Sequence, residues 1–146
     1  PADIGIASLF GDPTINLLDV VPQKDAGGIY VEISKVRVPL PGMPDNVVGQ
    51  ACVIGIRPES ITFAKDTVKG AVPIEVEAET PLNEKTVTLV VTVGKRELLV
   101  SRPAGTPGPV SGPAFILIDG KTTFLFDKAS GALIRKAGTT EQGVAA

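Results

Sequence analysis

The segment Ile74-Glu75-Val76-Glu77-Ala78-Glu79 alternates apolar and acidic residues without a break. Period two places one set on a buried face and the other in water, and only an extended strand does that. The same period returns along most of the chain. Ile29, Val31 and Ile33 alternate with Tyr30 and Glu32, and Val36 and Val38 continue as far as Pro39. Ile15 to Val20 and Cys52 to Ile56 read as further strands, the second ended by Pro58. Val87, Leu89, Val91 and Val93 share a face opposite Thr86, Thr88 and Thr92. Gly94-Lys95 suits a two-residue hairpin turn into Leu98-Leu99-Val100. Asp119-Gly120-Lys121 gives a second hairpin signal between Phe115–Ile118 and Thr123–Phe126. Sixteen glycines and thirteen prolines punctuate these runs. Roughly nine short strands at even spacing predict an all-β fold, a small barrel or sandwich.

One stretch departs from the pattern. Ile6, Leu9 and Phe10 recur at helical spacing between Pro1 and Gly11, and Asp12-Pro13 is a stop signal, so a short N-terminal helix is expected. The tail from Ala137 is small and polar and reads as frayed. The opening at Pro1 reads as a piece excised from a longer polypeptide.

Composition narrows the chemistry. The 146 residues contain no histidine, which excludes a His-based triad or a His-rich metal site. Cys52 is the one cysteine, so no disulfide forms within the chain, and its strand position argues for inert burial. A net charge of −2 gives no electrostatic footprint for nucleic acid. Gly120-Lys121-Thr122-Thr123 looks like the end of a phosphate-binding loop, but the glycine required five positions earlier is Phe115. The serines lack a nucleophile elbow, and Glu75, Glu77 and Glu79 read as a solvated strand face. No catalytic residue, metal or cofactor is expected, and the chain reads as an accessory domain rather than an enzyme. The distinctive stretch is Gly55-Ile56-Arg57-Pro58-Glu59. Proline removes a donor and fixes the backbone where an apolar strand ends, so Arg57 and Glu59 leave a stiff point. They form either a screened surface pair or a contact for another domain or subunit.

Gly55-Ile56-Arg57-Pro58-Glu59-Ser60 resembles the Gly-Ile/Val-Arg-Pro-Glu-His signature in the C-terminal regulatory domain of ABC-transporter ATPase subunits. That domain is the transport-associated OB (TOBE) domain of the maltose and glycerol-phosphate importer type. Residues from Ile6 to Leu18 resemble the family's junction, including its Pro-x-Met-Asn-Leu, here Pro13-Thr14-Ile15-Asn16-Leu17. Val38-Pro39-Leu40-Pro41 is similar to its Leu-Pro pair, and Phe126-Asp127-Lys128-Ala129-Ser130-Gly131 to its closing Phe-Asp-x-x-Thr-Gly. Ser60 stands where the family has histidine, and P-loop, signature and Walker B motifs have no counterpart. The resemblance implies an OB-like β-barrel over residues 14–136, a linker helix over 1–13 from an ATPase domain outside the chain, and a disordered tail over 137–146. It further implies a regulatory and dimerisation role in an importer for sugars or related solutes. The implied partners are a second copy in a homodimer, the subunit's own ATPase domain and, indirectly, the membrane subunits. The implied location is cytoplasmic, on the inner face of the cell membrane. Asn16, Arg57, Pro58 and Glu59 are the candidate regulatory or interface residues. The alternative is an oxyanion-binding module, as related transport-associated barrels hold such ions.

Overall fold

The computed structural model describes residues 6–8 and 14–137. Thirteen strands run through them in chain order. The first seven are β1 (Ile6–Ser8), β2 (Thr14–Val20), β3 (Gln23–Asp25), β4 (Gly28–Ile33), β5 (Val36–Pro39), β6 (Cys52–Ile56) and β7 (Ile61–Ala64). The remaining six are β8 (Val72–Pro81), β9 (Lys85–Thr92), β10 (Glu97–Pro103), β11 (Gly112–Ile118), β12 (Phe124–Asp127) and β13 (Leu133–Lys136). Three short 3₁₀ turns, Asp45–Val47, Pro58–Ser60 and Gly120–Thr122, are the helical elements among the described residues. The all-β, OB-like fold expected from the alternating runs is therefore present, as open sheets rather than a closed barrel.

One five-stranded sheet has the order β1-β2-β6-β12-β13 and a second the order β10-β9-β8-β11-β7, while β3, β4 and β5 form a small third sheet. All their pairings are antiparallel. In the second sheet β7 and β10 approach each other across a seam that stays unpaired. Ile54, Ile56, Ile61, Leu98, Ile116 and Leu125 are fully buried in the core shared by the sheets. Full burial of such a side chain favours the fold by about 1.5–3 kcal/mol relative to exposure. Aliphatic residues fill this core. Phe63, Phe115, Phe124 and Phe126 stay half-buried, and Tyr30 is the buried aromatic among the described residues.

The two large sheets are joined by one bent ribbon. Strand β6 continues through Pro58–Ser60 into β7, and β11 returns through Gly120–Thr122 into β12. Phe124 pairs with Gly55 in the first sheet, and Ile118 pairs with Ile61 in the second. The two chains thus run side by side, and both bend at a 3₁₀ turn as they cross between sheets.

The structure corrects three expectations. Residues 6–8 form an edge strand on β2, with Ile6 opposite Asn16, and not a helix. An isolated helix of two turns is marginal, because nucleation costs more than a few bonds return, whereas an edge strand gains ladder bonds at once. The rest of the expected helix, residues 1–5 and 9–13, lies outside the described residues. Asp119-Gly120-Lys121 does not close a hairpin, since β11 pairs with β7 and β8 while β12 pairs with β6 and β13. Ala137, assigned to the frayed tail, is buried, and its N–H donates to the Thr123 carbonyl at 2.8 Å. Residues 138–146 lie outside the described residues. Gly94-Lys95 does turn β9 into β10, with Lys95 at φ 66°.

Candidate functional site

Three of the four candidate residues, Arg57, Pro58 and Glu59, sit at the ribbon corner. Strand β6 is buried from end to end, so the chain must turn as it leaves the core at Ile56. Arg57 has extended dihedrals and serves as N-cap of the following 3₁₀ turn, with Pro58 at its first position. Proline suits that position, because its missing N–H would have no partner there and its φ is already set. The Ser60 N–H donates to the Arg57 carbonyl at 2.9 Å and closes the turn. Pro58 is buried, Arg57 is half-buried, and Glu59 is exposed.

The return chain braces this turn. The Asp119 N–H donates to the Ser60 carbonyl at 3.0 Å, and the Thr122 hydroxyl donates to Ser60 Oγ at 2.7 Å. Asp119 in turn caps its own 3₁₀ turn, its Oδ1 accepting from the Lys121 N–H at 3.0 Å. The Arg57 guanidinium lies 5.2 Å from the centre of the Phe124 ring. The Lys136 ammonium stands 5.8 Å from the same centre. Of the ion pairs among the described residues, none joins Arg57 to Glu59. The aromatic ring, and not the neighbouring carboxylate, holds the arginine. Ring and cation attract by about 0.5–1 kcal/mol at such partly exposed sites. Arg57 and Glu59 therefore leave the corner as separate charges on a stiff frame.

Asn16 occupies a different place. It is fully buried. Its Nδ2 donates to the carbonyls of Ile56 and Leu99, both at 3.0 Å, and its Oδ1 accepts from the Leu99 N–H at 2.8 Å. The side-chain amide thus meets both backbone groups of Leu99, as a neighbouring peptide unit would. It satisfies the free edge of β10 and ties it to β2 and β6 beside the corner.

Sequence reasoning missed Ser60, Asp119, Thr122 and Phe124 as parts of this site. Asp119 before Gly-Lys carried a capping signal, but its partner across the corner is far away in sequence. The phosphate-loop look-alike Gly120-Lys121-Thr122 is the brace of that corner.

A second polar cluster closes the chain. Asp127 Oδ2 accepts from the Ser130 hydroxyl at 2.7 Å and the Ser130 N–H at 2.8 Å, and its Oδ1 accepts from Gln50 Nε2 at 2.7 Å. The Ser130 hydroxyl, then the Ser130 N–H, then Gln50 lower the Asp127 pKa, against a smaller opposing effect of desolvation. A depressed carboxyl pKa contributes stability that is present above the unfolded value and lost as pH falls through the folded one. Acid should therefore loosen the turn at Asp127 only below the ordinary aspartate range. Ser130→Ala should raise the Asp127 titration midpoint, followed by carboxyl NMR, and shift acid unfolding to higher pH. An unmoved midpoint would show that the Ser130 hydroxyl does not hold the carboxylate. Cys52 is fully buried nearby; desolvation first, and the Asp127 charge second, push its thiol pKa up. A protonated buried thiol is a poor nucleophile.

Residues 11–61 match the family described as the MalK OB fold domain. That span contains β2 to β6 and the Pro58–Ser60 turn. The chain is also 30% identical over 99 residues to an uncharacterized ABC transporter ATP-binding protein, y4oS, of Sinorhizobium fredii. The match covers 68% of this chain and 25% of the length of that relative. Among the described residues no helix is long and apolar enough to cross a membrane.

Proposed function

We propose that this chain, an OB/TOBE-type domain of an ABC importer ATP-binding subunit, acts as the subunit's regulatory and dimerisation module. It contributes no catalytic step of its own. It works beside the subunit's ATPase domain and the membrane subunits, peripheral to the cytoplasmic face of the membrane, in an importer for sugars or related solutes. The observation that carries this reading is the corner. Arg57 and Glu59 project from a frame fixed by Pro58, Ser60, Asp119 and Thr122, and no ion pair joins them. Charges held apart on a rigid support suit complementary charges on a partner, where they set register and specificity.

The test separates support of the fold from contact with a partner. In the isolated chain, Arg57→Ala and Glu59→Ala should each change unfolding free energy by no more than about 1 kcal/mol, as expected for exposed or half-exposed charges. In the full-length subunit the same changes should alter regulation of ATP hydrolysis. Unfolding of the isolated chain by either change would make the corner a support of the core and end the proposal.

A further inference from the structure

The connection from β10 to β11 leaves an edge strand of the second sheet and enters a strand that is not its neighbour, so it crosses the end of the sheet. It reads Ala104-Gly105-Thr106-Pro107-Gly108-Pro109-Val110-Ser111-Gly112. At its root the Ala104 N–H donates to the Glu84 carbonyl at 3.0 Å. Gly105 and Gly112 have φ of 84° and 83°, with open space where a side chain would stand. Backbone freedom, and not packing, is what glycine supplies at these two ends. Between them Pro107 and Pro109 each fix a φ and stiffen the chain. A short stiff piece thus lies between two pivots.

Little holds that piece down. Among the described residues, 107–110 make no hydrogen bond, and Val110 is 65% exposed. A segment with few bonds and little buried apolar surface opens at low cost. One side chain grips it. Arg102 Nε donates to the Thr106 carbonyl at 2.9 Å. The Gly108 backbone lies against the same guanidinium, where an added Cβ would be 2.7 Å from Arg102 Cζ. The guanidinium is itself fixed from the sheet side. Its Nη1 donates to Thr88 Oγ1 and its Nη2 to Glu79 Oε1, both at 3.1 Å. The Phe63 ring on β7, across the unpaired seam, lies 5.8 Å away. The Arg102 side chain is only 12% exposed. Strands β7, β8 and β9 and the connection therefore meet at one residue of β10.

We propose that residues 105–112 form a strap that closes over the end of the second sheet and lifts from it as one unit, with Arg102 as its clasp. The clasp depends on the shape of arginine. Its terminal nitrogens hold Thr88 and Glu79 while Nε remains for the strap, whereas lysine has a single charged nitrogen and no fork. Closed, the strap shields the guanidinium. Lifted, it bares Arg102, with Thr88 and Glu79 beside it, where β7 and β10 stay unpaired. The device lies outside the Arg57 corner and does not depend on the role given to that corner.

The test is ¹⁵N relaxation dispersion on the full chain, in the parent, in Arg102→Lys and in Gly108→Ala. Arg102→Lys keeps a cation beside Glu79 but removes Nε. Gly108→Ala keeps the arginine and wedges the strap away from it, and serves if Arg102→Lys fails to fold. In both variants Gly105, Thr106, Val110, Ser111 and Gly112 should exchange with one shared rate. The open population should rise about tenfold or more over the parent's, the value of a lost hydrogen bond to a charged group. Solvent exchange of the Arg102 Nε–H should quicken by the same factor in Gly108→Ala. Flat dispersion across the strap in the folded variants, separate rates at its residues, or an Nε–H unmoved by Gly108→Ala would overturn the proposal.

Discussion

Asn16→Ala should cost the isolated domain about 3 kcal/mol of unfolding free energy, read as a fall in the urea midpoint at constant slope. The side chain makes three hydrogen bonds in a buried position, two of them to Leu99. A made hydrogen bond contributes only about 0.5–1.5 kcal/mol net, but a buried group left without a partner costs about 1–3 kcal/mol. Alanine leaves the Leu99 N–H and its carbonyl facing a void inside the fold. Asn16→Asp should be worse than alanine. It keeps the acceptor for the Leu99 N–H but sets a carboxylate against the carbonyls of Ile56 and Leu99, where nothing compensates it. A midpoint unchanged by alanine would mean that water replaces the amide, and the coupling of β10 to the first sheet would then rest on apolar packing alone.

Gly120→Ala should be the other severe change. A Cβ at this position would lie 1.9 Å from the Pro39 carbonyl oxygen and 3.1 Å from its carbon. Both obstacles are backbone, so a rotamer change cannot relieve them. Either the 3₁₀ turn at Gly120–Thr122 lifts from β5 or the third sheet moves away. Overpacking of this kind costs about 3 kcal/mol or more when the obstacle cannot yield. The turn also braces Ser60, so the loss should spread to the corner and weaken the Asp119–Ser60 bond, visible as faster amide exchange at Asp119. Thermal unfolding close to the parent's, together with protected Asp119, would contradict this close approach. Gly108, whose Cβ would come nearest the Arg102 guanidinium, offers a contrast: that obstacle is the far end of a side chain rather than backbone.

How far the sequence reveals this molecule depends on how local each cause is. Alternation in β4, β6 and β8 is written into adjacent residues, and those strands lie where the alternation predicts. In β9 the period is legible but the face is not. The aliphatic side, Val87, Leu89 and Val91, is half-buried, whereas Thr86, Thr88 and Thr92 are buried with Val90. Hydrogen bonds make two of these threonines tolerable inside. Thr88 Oγ1 accepts from Arg102 at 3.1 Å, and Thr92 Oγ1 from the Arg96 N–H at 3.1 Å. Strand β3 has three exposed residues and no apolar signal; pairing with β4 alone makes it a strand.

The candidate site divides along the same line. Pro58 after an apolar run gives the stiff turn, because proline acts on its own backbone and its immediate neighbours. The family signature around Arg57 pointed to the same place. The grip of Phe124 on Arg57 and of Ser60 on Asp119 joins segments sixty residues or so apart, and no spacing encodes that. Asn16 was singled out for a role at an interface, and the structure places it in the interior, where its partners lie 40 and 83 positions away.

The most direct measurement on the regulatory reading is ATP hydrolysis by the full-length transporter, with and without its transported solute, in the parent and in an Arg57→Ala/Glu59→Ala double variant. On the proposed regulatory reading the corner takes no catalytic step, so maximal hydrolysis should match the parent's, while the ratio of stimulated to resting rate should change. The same ratio in both proteins, with the variant folded and assembled, would contradict a regulatory role for this corner.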